Sequence, residues 1–348
     1  LNRRVVTLES SSVDASSDPQ VSVVIPNFNG LTWLPECLDS LAAQEFAPFE
    51  VIVVDNGSRD GSRDYLSRQD GIRVVLLPGN RGFSGGCNAG IRECKGTFIA
   101  LLNNDAVASP NWLSALVEAA RRHPEADSFA GPVLRKERPE IIDSAGDVYS
   151  IAGSAKKRYE GRPFEGMNPS EIRMFGAGAC AALYTRRFFE KVGLFDEDFF
   201  CYFEDVDLAF RGVLKGLSSV FVPEALVFHR VSSTYGEASS FVTYHNSRNL
   251  EWVYWKNMPG FLMIKYALPA MALRLLALAF WGRKGRLAPF LRGKKDAMSA
   301  LGQVWIKRKA IQQSRILPIR KLDRMLERKW LSLHLQGRSV SLSKERKP

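Results

Sequence analysis

VIVVDNGSRDGS, residues 51–62, carries four β-branched residues straight into Asp55 and then into Asn, Gly and Ser. A short, nearly continuous apolar run suits a strand buried on both faces of a parallel sheet, and the residues after it are turn formers. VSVVIP from Val21, IRVVLL from Ile72 and TFIALLNND from Thr97 repeat the pattern. Helical periodicity fills the gaps at 34–44 and 62–69, and a further helix is expected from near Asn111, behind Ser109-Pro110. Strands alternating with helices predict an open α/β sheet, in which ligands bind beyond the carboxyl ends of the strands. Those ends are Pro26-Asn27, Asp55-Asn56 and Asn103-Asn104-Asp105.

From 130 to 182 the pattern loosens into short strand-like pieces, as a substrate-side subdomain would. Residues 186–192 and 204–215 read as helices, SSVFVP as a strand, and His229 as a loop residue after it. The 348 residues carry a net charge of +11. That excess lies at one end: residues 251–348 hold about 22 Lys and Arg against about 5 Asp and Glu, leaving about 26 against about 32 upstream. Five widely spaced cysteines without a CxxC pair suggest neither a disulfide framework nor a zinc cage and fit a reducing cytoplasm. Residues 1–20 contain no apolar run of signal-peptide length and read as a disordered leader. The expected division is therefore a leader (1–20), a catalytic domain (21–245) and a basic, amphipathic helical region (246–348).

Each motif admits two readings. Asp55, acceptor-only when ionised, could take a pyrimidine ring N–H or ribose hydroxyls, or could cap a turn. Asp105 could hold magnesium or manganese together with substrate phosphate oxygens, or could make an Asx-turn. GNRGFSGGCNAG, residues 79–90, is neither a Walker nor a dinucleotide sequence; its loop could cradle a diphosphate beside Arg81, or be a flexible connection. His229 could be a metal ligand or a core histidine. FFCYFEDVDLAFR, residues 199–211, sets Glu204, Asp205 and Asp207 among aromatic residues, where ionised carboxylates are costly. A helix from Glu204 would place Asp205 and Leu208 on one face and turn Asp207 away. The helix dipole favours acids there in any case, but an aromatic wall also raises a carboxyl pKa, as a general base requires.

Taken in order, VSVVIPNFNG, VVDNGSRDGS, NRGFSGGCNAG, LLNND, GLFDEDFFCYFEDVDLAFR and VPEALVFH resemble the family 2 glycosyltransferases with the GT-A fold, over roughly residues 21–244. Bacterial rhamnosyltransferase-like enzymes of surface polysaccharide assembly are the branch they resemble most. The resemblance implies a nucleotide-sugar site made by Pro26, Asn27, Asn29, Asp55, Asn56, Arg81, Asn103, Asn104 and Asp105. Asn103 to Asp105 stands where the family has DxD, with Asn in the first position. It further implies a divalent cation, magnesium or manganese, on Asp105 and His229, and a catalytic Glu204-Asp205 pair with Asp205 as base. One base serving one displacement inverts the anomeric centre. Asp55 suits uridine and thymidine equally; the resemblance favours dTDP-L-rhamnose, then a UDP-sugar.

Residues 261–286 are the most apolar stretch, but Lys265, Pro269 and Arg274 interrupt it. A monotopic helix pair is expected there, held at the cytoplasmic face of the plasma membrane by apolar burial and by the basic run after it. A helical lid packed on the body is the other reading. Such an enzyme would meet a lipid-linked glycan acceptor, and a homo-oligomer is compatible with the sequence. A nucleic-acid binder would also explain the basic tail, yet no zinc finger or RNA-recognition signature is present and no nucleic acid is expected. A non-catalytic sugar-binding module on the same fold is the other alternative, and the presence of both Asp105 and Asp205 argues against it.

Overall fold

The structure, a computed structural model, describes residues 4–6, 18–165, 167–168, 174–230 and 239–336. The apolar runs form the expected strands: β2 (Val21–Asn27), β3 (Phe49–Asp55), β4 (Ile72–Leu76) and β5 (Phe98–Leu102), all mutually parallel where they pair; β1 is Arg4–Val6. They continue through β7 (Ser128–Ala130), β12 (Ala181–Thr185) and β13 (Ser219–Phe221), after β6 (Ala106–Ala108) and with β8–β11 between. The eight-stranded sheet runs β1-β4-β3-β2-β5-β12-β7-β13, with β12 antiparallel to both neighbours. Strand order reverses between β2 and β5, so the carboxyl ends of these two strands flank the crevice where such sheets bind ligands.

Side chains alternate across the sheet. Val23, Ile25, Val51 and Val53 meet α1 (Leu34–Ala42), α2 (Ser62–Leu66) and α4 (Trp112–Arg122) on one face. Val24, Ile52 and Val54 meet α3 (Gly82–Ile91), α5 (Arg186–Val192) and α6 (Glu204–Leu214) on the other. A smaller sheet, β6-β14-β8-β9, uses β8 (Val133–Arg135), β9 (Arg138–Ser144) and β14 (Val227–His229), and a hairpin joins β10 (Asp147–Tyr149) to β11 (Ala155–Lys157). A third apolar cluster joins α6 to α7 (Ser240–Asn257), α8 (Gly260–Lys265), α9 (Ala267–Arg283), α10 (Leu287–Ser299), α11 (Leu301–Gln313) and α12 (Ile319–Met325) through Phe199, Phe210, Trp252, Leu262, Ala270, Ala297, Val304 and Leu322.

Four sequence expectations are corrected. Arg4–Val6 is not without structure: it pairs antiparallel with β4 as an edge strand, satisfying backbone groups that β4 would otherwise leave open. The rest of the leader up to residue 17 lies outside the described residues. The glycine-rich 82–90 stretch is a helix, because its glycines serve close approach: a Cβ on Gly90 would lie 2.3 Å from Val24 Cγ1. His229 ends a strand, not a loop. Position 246 falls inside α7, so the change in composition there does not coincide with a break in the chain's architecture. Among the described residues, no helix is long and apolar enough to cross a membrane.

Candidate active site

The crevice between β2 and β5 is lined by amides. Asn104 Nδ2 donates to Asn27 Oδ1 at 2.7 Å, which ties the two strand ends together across the reversal point. Asn27 in turn donates to Ser58 Oγ at 3.3 Å and, at 3.5 Å, to Asp55 Oδ2. Pro26 is half-buried beside it. Asp55 is fully buried, and its Oδ1 accepts from Arg63 Nε at 2.7 Å and the Ser58 N–H at 3.1 Å. Among the described residues Oδ2 has one long contact, to Asn27, and the carboxylate is shielded from solvent.

Asn29 and Asn56 act on backbone. Asn29, at φ +50°, accepts the Arg59 N–H at 2.8 Å. Asn56 accepts the Arg81 N–H and donates to the Gly82 carbonyl, both at 2.8 Å, fixing the entry to α3. Arg81 points its guanidinium at Glu197 Oε2, 2.6 Å away, so in this conformation its charge is matched by a carboxylate.

Asp105 and His229 converge through strand pairing. β14 pairs with β6 so that His229 lies opposite Ala106, the residue after Asp105. His229 Nε2 is 3.3 Å from Asp105 Oδ1 and Nδ1 is 3.1 Å from Asp143 Oδ2. Lys157 Nζ lies 3.0 and 2.9 Å from the two oxygens of Asp143. Burial works to lower the His229 pKa, but Cys180, Asp105 and Asp143 outweigh it and raise it well above the usual histidine value. Burial likewise opposes ionisation of Asp143, but Lys157 and His229 prevail and hold its carboxyl well below the usual range.

A divalent cation fits this group. A carboxylate on the far ring nitrogen is how metal-ligating histidines are commonly oriented, and Nε2 already faces Asp105. Asn103 Nδ2 is 3.5 Å from the same Nε2, and Asn103 Oδ1 is buried with no hydrogen-bond partner among the described residues. No group of three or more His, Cys, Asp or Glu side chains among the described residues could hold a metal by itself. The protein thus offers Asp105 and His229, and the remaining ligands would have to come from phosphate and water.

Glu204 and Asp205 open α6. Burial pushes the Glu204 carboxyl well above the usual range, with the neighbouring charge of Asp205 adding to it, and its Oε2 has no partner among the described residues. Asp205 is half-buried; desolvation raises its pKa, and N–H groups of Val206 (2.8 Å, to Oδ1) and Ala179 (3.4 Å, to Oδ2) pull in the opposite direction. Asp147, on β10, is buried nearby, and burial together with the charge of Asp205 pushes it well above the carboxylate range. Asp207 does turn away: it lies in the interior with Arg211 Nε at 2.8 Å, Lys256 Nζ at 2.9 Å and Asn257 Nδ2 at 2.7 Å.

One short segment connects the two groups. The Ala179 N–H reaches Asp205, while the carbonyl of the next residue, Cys180, accepts the Asn103 N–H at 2.9 Å. Asp143, Asp147 and Lys157 were missed by sequence reasoning. A charged residue after the apolar pair Ile141-Ile142 was the available signal for Asp143.

The open sheet with its order reversal at β2 and β5, followed by a helical region, is a GT-A fold, the class to which glycosyltransferases of nucleotide-sugars belong. The chain belongs to glycosyl transferase family 2, whose pattern its residues 22–193 match. It is 30% identical over 240 residues to the N-acetylglucosaminyl-diphospho-decaprenol L-rhamnosyltransferase of Mycobacterium tuberculosis, a match covering 62% of this chain and 78% of that protein. An uncharacterized glycosyltransferase of Rickettsia prowazekii is also 30% identical, over 61% of this chain and 64% of its own. Among solved structures it resembles S. aureus TarS 1-349 in complex with UDP-GlcNAc, with a TM-score of 0.55 at 15% identity over 85% of this chain and 87% of that one. It also resembles the mannosyltransferase PcManGT from Pyrobaculum calidifontis in complex with GDP-Man and Mn2+, with a TM-score of 0.51 at 17% identity over 87% of both chains. At these identities the structural likeness is one of fold.

Proposed function

We propose that the protein is an inverting glycosyltransferase that moves a sugar from a nucleotide-sugar, dTDP-L-rhamnose before a UDP-sugar, to a hydroxyl of a lipid-linked or polysaccharide acceptor in bacterial surface glycan assembly. The observation that carries this reading is the Ala179-Cys180 pair, which joins Asp205 to Asn103 and so couples a raised carboxyl to the crevice. The relative from M. tuberculosis supports rhamnose and a diphospho-polyprenol acceptor by its name.

In this reading the donor's nucleoside lies over the ends of β2, β3 and β5, held by Asn27, Asp55 and Asn104. Asp205 takes the proton from the acceptor hydroxyl as that oxygen bonds to the anomeric carbon and the bond to the diphosphate breaks. Attack opposite the leaving group inverts the centre, through an oxocarbenium-like transition state. Asp147 stays protonated beside Asp205, because two close carboxylates cannot both ionise freely. A divalent cation on Asp105 and His229 would neutralise charge developing on the leaving diphosphate.

The helical region supports a peripheral place at the cytoplasmic membrane face. Phe261, Ile264, Leu268, Met271, Leu275 and Leu276 are each at least 51% exposed, next to the basic run. Some of the basic residues are engaged internally: Lys294 with Glu251, Lys307 with Asp196 and Asp198, and Arg308 with the carbonyls of Trp255 and Met258.

The test is a panel of dTDP- and UDP-sugars with manganese, read by melting temperature and by transfer to an N-acetylglucosaminyl-diphospho-polyprenol, with the product's anomeric configuration set by NMR. Retention of configuration rejects the single-base mechanism. A panel in which no nucleotide-sugar raises the melting temperature and none is turned over rejects the reading.

A further inference from the structure

Immediately before the Glu204–Asp205 pair the backbone takes an uncommon path. Phe200, Tyr202 and Phe203 all have positive φ, at 66°, 67° and 67°, although none is glycine. Phe200, with ψ −66° and the Cys201 N–H on the Phe199 carbonyl at 2.8 Å, forms the strained kind of γ-turn. Three such aromatic residues in four positions do not persist unless their surroundings over-determine them.

The surroundings do so through carbonyls. The single amide of Asn249, fully buried on α7, donates through Nδ2 to the carbonyls of Phe199 (3.0 Å), Cys201 (2.8 Å) and Tyr202 (2.7 Å). Arg248 Nη2 donates to Asp198 and Phe199 at 3.1 and 2.9 Å, and its Nε holds Asn249 Oδ1 at 2.8 Å, fixing which way the amide faces. The remaining carbonyl, that of Phe200, accepts the Ser84 N–H at 3.2 Å from α3. Gly82, at φ +71°, allows this contact; a Cβ there would lie 2.1 Å from the Phe200 oxygen. The loop is therefore gripped from α3 on one side and α7 on the other.

We infer that Asn249 is a positioning residue for the reaction: by holding the carbonyls of Phe199, Cys201 and Tyr202 it sets where α6 begins, and hence where the Asp205 carboxyl stands relative to the crevice. This rests on the transferase reading above. It makes the helical region a working part of the site and not only a surface attachment. A hydrogen-bonded asparagine that served folding alone would lower the melting temperature without altering turnover in the folded protein.

The test uses the full chain. Asn249→Asp keeps the side chain's size but replaces its N–H donors with an oxygen; Arg248→Met leaves the amide and removes its orienting contact. Folding is followed by melting, donor-side binding by calorimetry with dTDP and manganese, turnover by release of nucleoside diphosphate, and loop order by amide exchange over residues 199–206. Asn249→Asp is expected to bind dTDP within about twofold of wild type while turnover falls roughly 10- to 100-fold, the scale expected for a reacting group displaced by about an ångström. Donor KM stays unchanged, and exchange over 199–206 quickens while β2 to β5 exchange as before. Arg248→Met shows the same changes in smaller degree. A folded Asn249→Asp protein with wild-type turnover, or with wild-type exchange over 199–206, overturns the inference. If Asn249→Asp does not fold, Arg248→Met decides alone, and wild-type exchange there overturns it. If the wild-type protein transfers no sugar, the transferase reading fails, and the exchange arm still decides whether Asn249 sets the loop.

Discussion

His229 Nε2 faces Asp105 Oδ1 at 3.3 Å and is held from behind, with Nδ1 3.1 Å from Asp143 Oδ2. Two side chains make a weak site for a hard cation unless phosphate oxygens complete it. Manganese should therefore bind weakly to the protein alone and more tightly once a nucleoside diphosphate is present. Asp105→Ala should remove that gain. Asp143→Asn, which touches no proposed ligand atom other than through His229, should weaken it about 10- to 100-fold. Calorimetry showing tight binding without nucleotide, indifferent to Asp105→Ala, contradicts the assignment.

Asp205→Asn should cut transfer about 10²- to 10⁴-fold, because an amide cannot accept the acceptor's proton. Nucleoside diphosphate binding should survive. The raised pKa of Asp205 sets the sign of the pH dependence: the base works ionised, so the rate should fall on the acid side at a pH above the ordinary aspartate range. A variant turning over like wild type would remove Asp205 from the role.

Asp207 is buried between Arg211, Lys256 and Asn257, and breaking a buried ion pair by removing one partner typically costs about 3–5 kcal/mol. Asp207→Asn should lower the urea-unfolding free energy on that scale. Burial works to raise the Asp207 pKa, but Lys256 and Arg211 lower it below 3.8 overall, and Asp196 is lowered likewise. Their stabilisation is thus present above pH 3.8 and is lost as pH falls through the depressed folded values. Wild type should lose more stability than Asp207→Asn over that acid window; parallel curves would count against the ion pair.

The exposed apolar side chains of α8 and α9 predict pelleting with vesicles of acidic lipid. High salt should release the protein only in part, since it screens the basic residues but not buried apolar surface. Ile264→Glu with Leu268→Glu, at positions 80% and 74% exposed, should leave the fold intact and abolish pelleting. Supernatant protein at low salt with acidic vesicles points instead to a lid or a protein partner.

The strand ends are legible in the sequence because each apolar run stops at a turn former, which places Asn27, Asp55 and Asn103 on one edge. Glu204 and Asp205 stood out because acids among aromatics are costly. What was not legible depends on register between distant segments. His229 and Asp143 are 86 positions apart and meet only because β14 pairs with β8 and β8 with β9. Local composition misled at 82–90, where glycines looked like a flexible connection and instead let a helix sit against β2 and Phe200. Asn249 gave no local signal at all, since an asparagine in mid-helix has no favourable propensity and its reason lies in carbonyls some 50 positions earlier.

The grip of Asn249 on the loop before α6 bears on when in its own biosynthesis the protein can work. Chains emerge from the ribosome amino terminus first, and early segments begin folding before later ones are made. Every strand of the large sheet, and the Glu204–Asp205 pair itself, precede α7 in that order. In the transferase reading, a nascent chain that stops short of α7 would carry the strand ends of the proposed donor site while Asp205 stood on an unset loop. Competence would arrive together with the helices that carry the exposed apolar surface, so that a half-made chain would not spend nucleotide-sugar on water. Stalled chains ending before and after α7, compared for release of nucleoside diphosphate, would reveal that order of events.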